Sequence, residues 1–187
     1  MSKSDIKRAI DVLKQHRENL LREMDSLDHI LECSLANYDF MIDLAIEKGF
    51  KRVVDIGCAY GHQSELCQGR IEYRGIDEDF VNFYKIAEDN SYITAKYPFY
   101  MTLGEYKNDL AISNLAVGWN CYVDKDEFRE QCKALSNDFK ACLLYVPTDR
   151  EEILKEYFKN IEIYRKTDEK DIVHRVIVPT GFYYCYN

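Results

Sequence analysis

The sequence predicts an α/β fold with a doubly wound, mostly parallel sheet of seven strands. A short β-branched run, Val53–Ile56, suits a strand buried on both faces of such a sheet. Gly57 and Gly61 then allow a sharp turn, and a helix is predicted to start at His62. A second apolar strand follows and ends in the acid Asp77. A strand, a glycine turn and a helix, in this order, open the ligand crevice of a doubly wound fold.

The rest of the chain continues the alternation of strands and helices. The predicted strands are 53–56, 71–77, 97–103, 109–115, 141–146, 161–165 and 172–178, with 182–186 as a further candidate. The first two predicted helices run over 4–33 and from Ser34 or Asn37 to the stop at Gly49. The next two start at His62 and run over 79–90. The last two start at the cap Asp124 or Asp126 and at Thr148, where Glu151 completes a capping box.

The first predicted helix carries an apolar stripe from Ile6 to Leu31, with spacings that alternate between four and three residues. Such a stripe packs across its own domain or pairs with another subunit, which would make a homodimer. We therefore predict two parts, an N-terminal long helix over 1–33 and an α/β domain over 34–187. The long helix would serve as a lid over the site or as an oligomerisation element.

Composition narrows the class of protein. With 187 residues, 47% hydrophobic and 31% charged, the chain resembles an ordinary soluble domain with room for a real core. The formal charge of -8 disfavours a nucleic-acid partner, although a local basic patch is compatible with it. Seven cysteines without a C-x-x-C pattern predict reduced thiols, a cytoplasmic protein and no metal site. No apolar run reaches the roughly 18 to 20 residues that span a membrane.

The glycine turn does not fit the common phosphate-binding patterns. A dinucleotide fingerprint starting at Gly57 would need glycine where Ala59 and His62 stand, and the glycine-rich phosphate loop with its Gly-Lys ending is absent. What remains is Asp55 with Gly57 and Gly61 four positions apart. This resembles motif I, D/E-x-G-x-G-x-G, of the class I S-adenosylmethionine-dependent methyltransferases, with Ala59 in place of the middle glycine.

The second strand supports the same resemblance. Asp77 lies twenty positions after Gly57, the interval expected for a carboxylate that accepts hydrogen bonds from ribose hydroxyls. In the methyltransferase family this acid is motif II. Taken alone, Asp55 and Asp77 are also compatible with a strand-end acid and a helix cap.

The resemblance implies S-adenosyl-L-methionine as cofactor. It also implies that strands 161–165 and 172–178 form the antiparallel hairpin that closes the family's sheet. Glu105 follows the third predicted strand, where a family acid often reaches the adenine amino group, or it is an exposed loop acid. The implied cofactor-binding residues are Asp55, Gly57, Cys58, Ala59, Tyr60, Gly61, Asp77, Glu78, Glu105 and Asn114.

The candidate catalytic residues are His62, Asn114 and Trp119. Methyl transfer from a sulfonium depends mainly on alignment in a water-poor site, so it needs no strong acid. His62 is a candidate base or a solvent-facing residue, and Trp119 a substrate platform or a packing residue. Family members that act on exocyclic amines often carry Asp/Asn-Pro-Pro-aromatic where this chain has Asn114-Leu115-Ala116-Val117.

The sequence thus predicts an S-adenosylmethionine-dependent methyltransferase that acts on a small molecule. One alternative is a tRNA, rRNA or DNA methyltransferase with a local or borrowed basic surface. Another is a non-catalytic S-adenosylmethionine-binding or interaction module that uses its long N-terminal helix for assembly.

Overall fold

The structure, a computed structural model, describes residues 27–58, 61–77, 92–94, 106–118, 124–166 and 179–187. Two 3-10 helices, His62–Cys67 and Thr148–Arg150, accompany the regular elements. The strands are β1 Arg52–Ile56, β2 Glu72–Asp77, β3 Tyr92–Thr94, β4 Leu110–Asn114, β5 Ala141–Pro147, β6 Asn160–Lys166 and β7 Thr180–Tyr186. The α-helices are α1 Leu27–Glu47, α2 Lys125–Asp138 and α3 Glu151–Tyr157.

All of these strands belong to one sheet, in the order β3-β2-β1-β4-β5-β7-β6. The pairs from β3 to β5 are parallel, whereas β7 is antiparallel to both β5 and β6. A mixed α/β fold with a mostly parallel sheet is therefore confirmed. The helix predicted over 79–90 lies outside the described residues, so the doubly wound arrangement stays a prediction.

Successive residues of β1 and β5 pack alternately into two hydrophobic clusters. Val54 and Leu144 belong to the cluster that α2 and α3 cover. Val53 and Leu143 belong to the cluster that α1 covers. Because neighbouring side chains of a strand point to opposite faces, both strands are buried on both sides. This explains why their sequences are mostly apolar instead of alternating between apolar and polar residues.

The helix α1 corrects the prediction of a break near Ser34 or Asn37. The helix is continuous from Leu27 to Glu47, and residues 1–26 lie outside the described part of the chain. Ser34 and Asn37 have cap-forming side chains, but both bond to Asn114 at the end of β4. The predicted stop is correct, since Gly49 follows the helix with a φ of +81°. The predicted division at residue 33 falls inside α1, and the domain organisation stays a prediction.

The helix predicted from His62 does begin there, as a 3-10 helix. One further local prediction is wrong. Thr148 forms no capping box, because it lies in a second 3-10 helix and α3 begins only at Glu151. Strand β3 at Tyr92–Thr94 was not predicted, and the predicted strand 97–103 lies outside the described residues. The Asp124 cap of α2 is confirmed, since its Oδ1 accepts from two backbone amides at 2.9 and 2.7 Å.

An antiparallel closure is present among the described strands. Strand β6 pairs with β7, which contains the further candidate 182–186. The expected partner, 172–178, lies outside the described residues. The cysteines at 58, 67, 132, 142 and 185 are buried and are not in disulfide bonds. Among the described helices, none has the length and apolarity that crossing a membrane requires.

The turn after β1 is packed tightly against the segment that follows β4. Gly57 has a φ of +75°, a conformation that side chains with a Cβ rarely adopt. A Cβ at this position would lie 2.0 Å from the Cβ of Ala116. Gly57 is therefore required twice, for its backbone angle and for this close approach. Because Ala116 lies in the turn that follows β4, this contact fixes the position of the turn after β1 relative to the turn after β4.

We predict that Gly57→Ala destabilises the protein more than Gly49→Ala. Gly49 has a similar φ of +81° but no atom within 4 Å of an added Cβ, so it reports backbone strain alone, about 1 kcal/mol. The clash at Gly57 should add about 1 to 3 kcal/mol, measured by urea unfolding. Adding Ala116→Gly should remove that excess. Equal losses in the two single variants would contradict the proposed close packing.

Candidate functional site

The glycine turn joins the carboxyl ends of β1 and β2. The amides of Gly57 and Cys58 both donate to the carbonyl of Ile76, at 2.8 and 3.2 Å. Gly61 closes the turn, with its amide 2.9 Å from the Cys58 carbonyl and a φ of +68°. Backbone bonds thus attach the turn directly to the neighbouring strand. Carboxyl ends of adjacent parallel strands are where open α/β sheets bind their ligands.

Asp77 is the last residue of β2 and is half-buried. It follows Ile76, whose carbonyl holds the turn and which pairs with Ile56 in the sheet register. The two residues predicted to hold the cofactor, Gly57 and Asp77, are therefore brought to one place although they are twenty positions apart.

The carboxylate of Asp55 lies beneath this turn and is completely buried. Tyr38 of α1 donates its hydroxyl to Oδ1 at 3.3 Å. Tyr73 of β2 donates to Oδ2 at 2.8 Å, and Nε2 of Gln63 donates to the same oxygen at 2.5 Å. Three separate elements of the fold thus converge on one side chain. We call Asp55, Tyr38, Gln63 and Tyr73 the Asp55 cluster.

Burial raises the pKa of Asp55 from 3.8 to about 7. Loss of hydration is the largest cause, because it penalises the ionised form. The hydrogen bonds from Gln63, Tyr73 and Tyr38 oppose it, and the charge of Asp77 adds to it. Asp55 is therefore ready to change its charge near neutral pH, which is common for groups at functional sites.

Gln63 connects this carboxylate to the turn. Besides its bond to Asp55, Nε2 donates to the carbonyl of Cys58 at 2.8 Å. The side chain is only 1% exposed, and its Oε1 is buried without a hydrogen-bond partner. A buried acceptor without a donor is costly, and it marks a position where a donor is missing.

Helix α1 also reaches the carboxyl end of β4. Nδ2 of Asn37 donates to Oδ1 of Asn114 at 3.1 Å, and Nδ2 of Asn114 donates to Oγ of Ser34 at 3.2 Å. Both ends of the Asn114 amide are therefore occupied by α1. This arrangement fixes the middle of α1 at the edge of the sheet where the turn lies.

The turn after Asn114 is strained and held by specific bonds. Leu115 is buried and has a φ of +65°, which is rare for a residue with a branched side chain. Its amide donates to the carbonyl of Tyr145 at 3.0 Å. Oγ of Ser113 donates to the Ile56 carbonyl at 2.9 Å and accepts from the amide of Val117 at 3.0 Å. Strained backbone of this kind tends to occur where a site needs a fixed shape.

The structure places the remaining predicted site residues as follows. Cys58 is buried in the turn, and burial raises the pKa of its thiol well above the usual value. His62 is the first residue of its 3-10 helix, and its side chain is outside the description. Ala59, Tyr60, Glu78, Glu105 and Trp119 lie outside the described residues. Over the described ranges, no group of three side chains is arranged to hold a metal ion.

Sequence patterns did not indicate the partners of the buried polar groups. Tyr38 lies 17 positions before Asp55, and Tyr73 lies 18 positions after it. Ser34 and Asn37 are 80 and 77 positions from Asn114. Gln63 is only eight positions after Asp55 and comes just after the glycine turn, so the sequence could have indicated it as a partner.

The sequence and structure of this chain were compared with those of known proteins. No model of a known protein family matches the sequence, and no curated protein matches it. Solved structures do match. Magnesium protoporphyrin IX methyltransferase (ChlM) from Synechocystis PCC 6803, with bound SAH, is 13% identical at a TM-score of 0.65, over 98% of this chain and 100% of its own.

The chain has the class I methyltransferase fold. An S-adenosylmethionine-dependent methyltransferase from Clostridium acetobutylicum ATCC 824 is 12% identical at a TM-score of 0.57, over 96% of this chain and 99% of its own. The bifunctional kinase-methyltransferase WbdD is 17% identical at a TM-score of 0.55 over 93% of this chain, which spans 42% of WbdD. At such identities the likeness shows the fold alone.

We predict that Asp55 makes the stability of the protein fall as the pH rises from 4 to 8. The raised pKa means that the folded protein holds one more proton than the unfolded chain in this window, so its stability is lost as pH rises toward 7. Asp55→Asn should remove up to about 4 kcal/mol of this pH dependence, measured by urea unfolding across the window. Parallel pH profiles for the two proteins would show that Asp55 is ionised throughout.

Proposed function

We propose that this protein is an S-adenosylmethionine-dependent methyltransferase that acts on a small molecule. The observation that carries the proposal is the combination, at one edge of a methyltransferase fold, of the Gly57 turn, the buried Asp55 and the half-buried Asp77. The fold alone hosts many activities, so the argument rests on the chemistry of this edge.

The residues present fit the proposed cofactor. Asp77 stands at the end of β2, where a carboxylate can accept from ribose hydroxyls. Gly57 and Gly61 have positive φ angles, which shape a tight turn whose backbone a ligand can approach closely. The buried carboxylate of Asp55 and the unpartnered Oε1 of Gln63 favour a cationic, donor-rich group nearby. S-adenosylmethionine carries both ribose hydroxyls and positively charged groups. ChlM has been solved with SAM and with SAH bound.

Other roles follow from this proposal. Cys58, Ala59, Tyr60, Glu78 and Glu105 would complete the cofactor site. His62 and Trp119 would lie on the side of the methyl acceptor. Asn114 is better suited to positioning than to proton transfer, because α1 engages both ends of its amide.

The acceptor is proposed to be small for two reasons. The formal charge of -8 gives no general attraction to the phosphates of a long nucleic acid. By its name, ChlM methylates magnesium protoporphyrin IX, which is a small molecule. The free buried thiols of the described cysteines support the proposed cytoplasmic location. A homodimer through the N-terminal helix remains a proposal.

We predict that the wild-type protein binds S-adenosylhomocysteine and that Asp77→Ala weakens the binding. Loss of the ribose hydrogen bonds should cost roughly 1.5 to 3 kcal/mol, about 10- to 150-fold in Kd, measured by calorimetry. Glu72→Ala is the matched control, since Glu72 is an exposed acid at the opposite end of the same strand. No binding to the wild type, or equal affinities for all three proteins, would refute the cofactor assignment.

We predict that methyl-labelled S-adenosylmethionine and this protein label a component of the small-molecule fraction of a cell extract. The RNA, DNA and protein fractions, tested in parallel, serve as the alternatives. Asp77→Ala should reduce the labelling in proportion to its loss of cofactor affinity. Label in the RNA or DNA fraction would support a nucleic-acid methyltransferase. Cofactor binding without label in any fraction would support a non-catalytic binding module.

A further inference from the structure

The Asp55 cluster lacks one positive charge. Its carboxylate is completely buried, yet its three donors are two phenol hydroxyls and one amide, all of them neutral. No ion pair joins Asp55 to a lysine or arginine within the described ranges. A buried carboxylate without a counter-charge is unfavourable by several kcal/mol in general. A proton or a cationic ligand group would supply the missing charge.

The titratable groups around Asp55 that belong to the described part of the chain do not supply it. The groups that act on Asp55 or are acted on by it are Tyr38 of α1, Cys58 of the turn, Cys67 of the 3-10 helix, and Tyr73 and Asp77 of β2. Each of these side chains is neutral when protonated and negative when ionised, so none of them can provide a positive charge. Asp77 increases the imbalance, because its negative charge lies at the same edge of the sheet.

The geometry allows the carboxyl to carry a proton without losing its partners. Oδ2 already accepts two hydrogen bonds, from Tyr73 and Gln63, whereas Oδ1 has only the longer bond to Tyr38 at 3.3 Å. A tyrosine hydroxyl accepts as well as donates. A proton on Oδ1 therefore keeps Tyr38 as its partner, and the ionised form keeps all three donors.

We propose that the Asp55 cluster holds one proton in the ligand-free protein and releases it to solvent when a cationic ligand group binds at the glycine turn. The inference rests on the proposed cofactor, whose sulfonium and ammonium groups are the cations available. The ligand's charge then balances the carboxylate in place of the proton, so the bound ligand and the bound proton exclude each other. Binding is then linked to pH, and the cluster discriminates against ligands without a positive charge.

Gln63 couples the carboxylate to the ligand-binding turn. Its Nε2 bridges Oδ2 of Asp55 and the carbonyl of Cys58, so the cluster and the turn share one side chain. Its unpartnered Oε1 adds a second acceptor beside the carboxylate. This position therefore favours an incoming donor that also carries charge, which is what an ammonium group provides.

The test is calorimetric titration of the full chain at pH 6 and pH 8, each in two buffers of different ionisation enthalpy, which counts the protons released. The ligands are S-adenosylmethionine, with both cationic groups, S-adenosylhomocysteine, with the ammonium only, and 5′-methylthioadenosine, which is neutral. Because the pKa of Asp55 is about 7 in the ligand-free protein, binding of a cationic ligand should release about 0.9 proton at pH 6 and about 0.1 at pH 8. Its affinity should rise about tenfold between these pH values.

Two variants test whether the released proton comes from Asp55 or from another group. Asp55→Asn should release no proton with either cationic ligand at pH 6 or pH 8, and urea unfolding of the variant checks that it is folded. Tyr73→Phe removes a donor to the ionised carboxylate, so its release profile should move to higher pH. Release with S-adenosylhomocysteine would identify the ammonium as sufficient, and release with S-adenosylmethionine alone would identify the sulfonium.

Two results would overturn the inference while leaving the proposed function standing. The first is tight cationic-ligand binding by the wild type with no proton release at either pH. The second is release that persists in Asp55→Asn, which would assign it to another group such as His62. Absence of binding by all three ligands would overturn both the inference and the cofactor assignment.

Discussion

The buried carboxylate of Asp55 is the constraint on which the candidate site depends. A helix, a neighbouring strand and a 3-10 helix each contribute one donor to it, through Tyr38, Tyr73 and Gln63. A buried charge is tolerated only where donors are arranged around it, so these elements cannot shift independently. Among the described residues, the same carboxylate has no positively charged partner. Structural order and the proposed ligand preference therefore have one physical origin.

The second constraint is the contact between the turns that follow β1 and β4. Gly57 lies against Ala116 with no room for a Cβ, and Oγ of Ser113 joins the Ile56 carbonyl to the following turn. Leu115 keeps its positive φ inside this arrangement. Neighbouring strands of a parallel sheet thus present their ends as one rigid unit. Rigidity at this edge favours a reaction in which alignment supplies much of the rate.

Helix α1 links these two constraints. Tyr38 bonds to the end of β1, and Ser34 and Asn37 bond to Asn114 at the end of β4. Its more C-terminal residues, such as Met41, pack into the hydrophobic cluster on one face of the sheet. One helix therefore contributes both to the core and to the edge where the ligand is proposed to bind. A substrate entering at this edge would meet the polar residues of α1 beside the turn.

The sequence by itself determined the elements whose signals are local. The β-branched run predicted β1, Gly49 predicted the end of α1, and Asp124 predicted the start of α2, because each depends on a few neighbouring residues. It also placed Asp77 at the end of a strand. Local signals failed at the break expected near Ser34 and Asn37, where tertiary hydrogen bonds to β4 took the side chains that would have capped a helix.

Only the tertiary structure decided which polar groups meet. The donors to Asp55 come from positions as far as 18 residues away, and those around Asn114 from 77 and 80 residues away. These pairings follow from the strand order, which brings β1 between β2 and β4, and from the packing of α1 against one face of the sheet. Short-range patterns specify backbone conformation, but the partner of a buried polar group depends on which elements become neighbours. The charge state of Asp55 is set by that neighbourhood and is therefore absent from any local pattern.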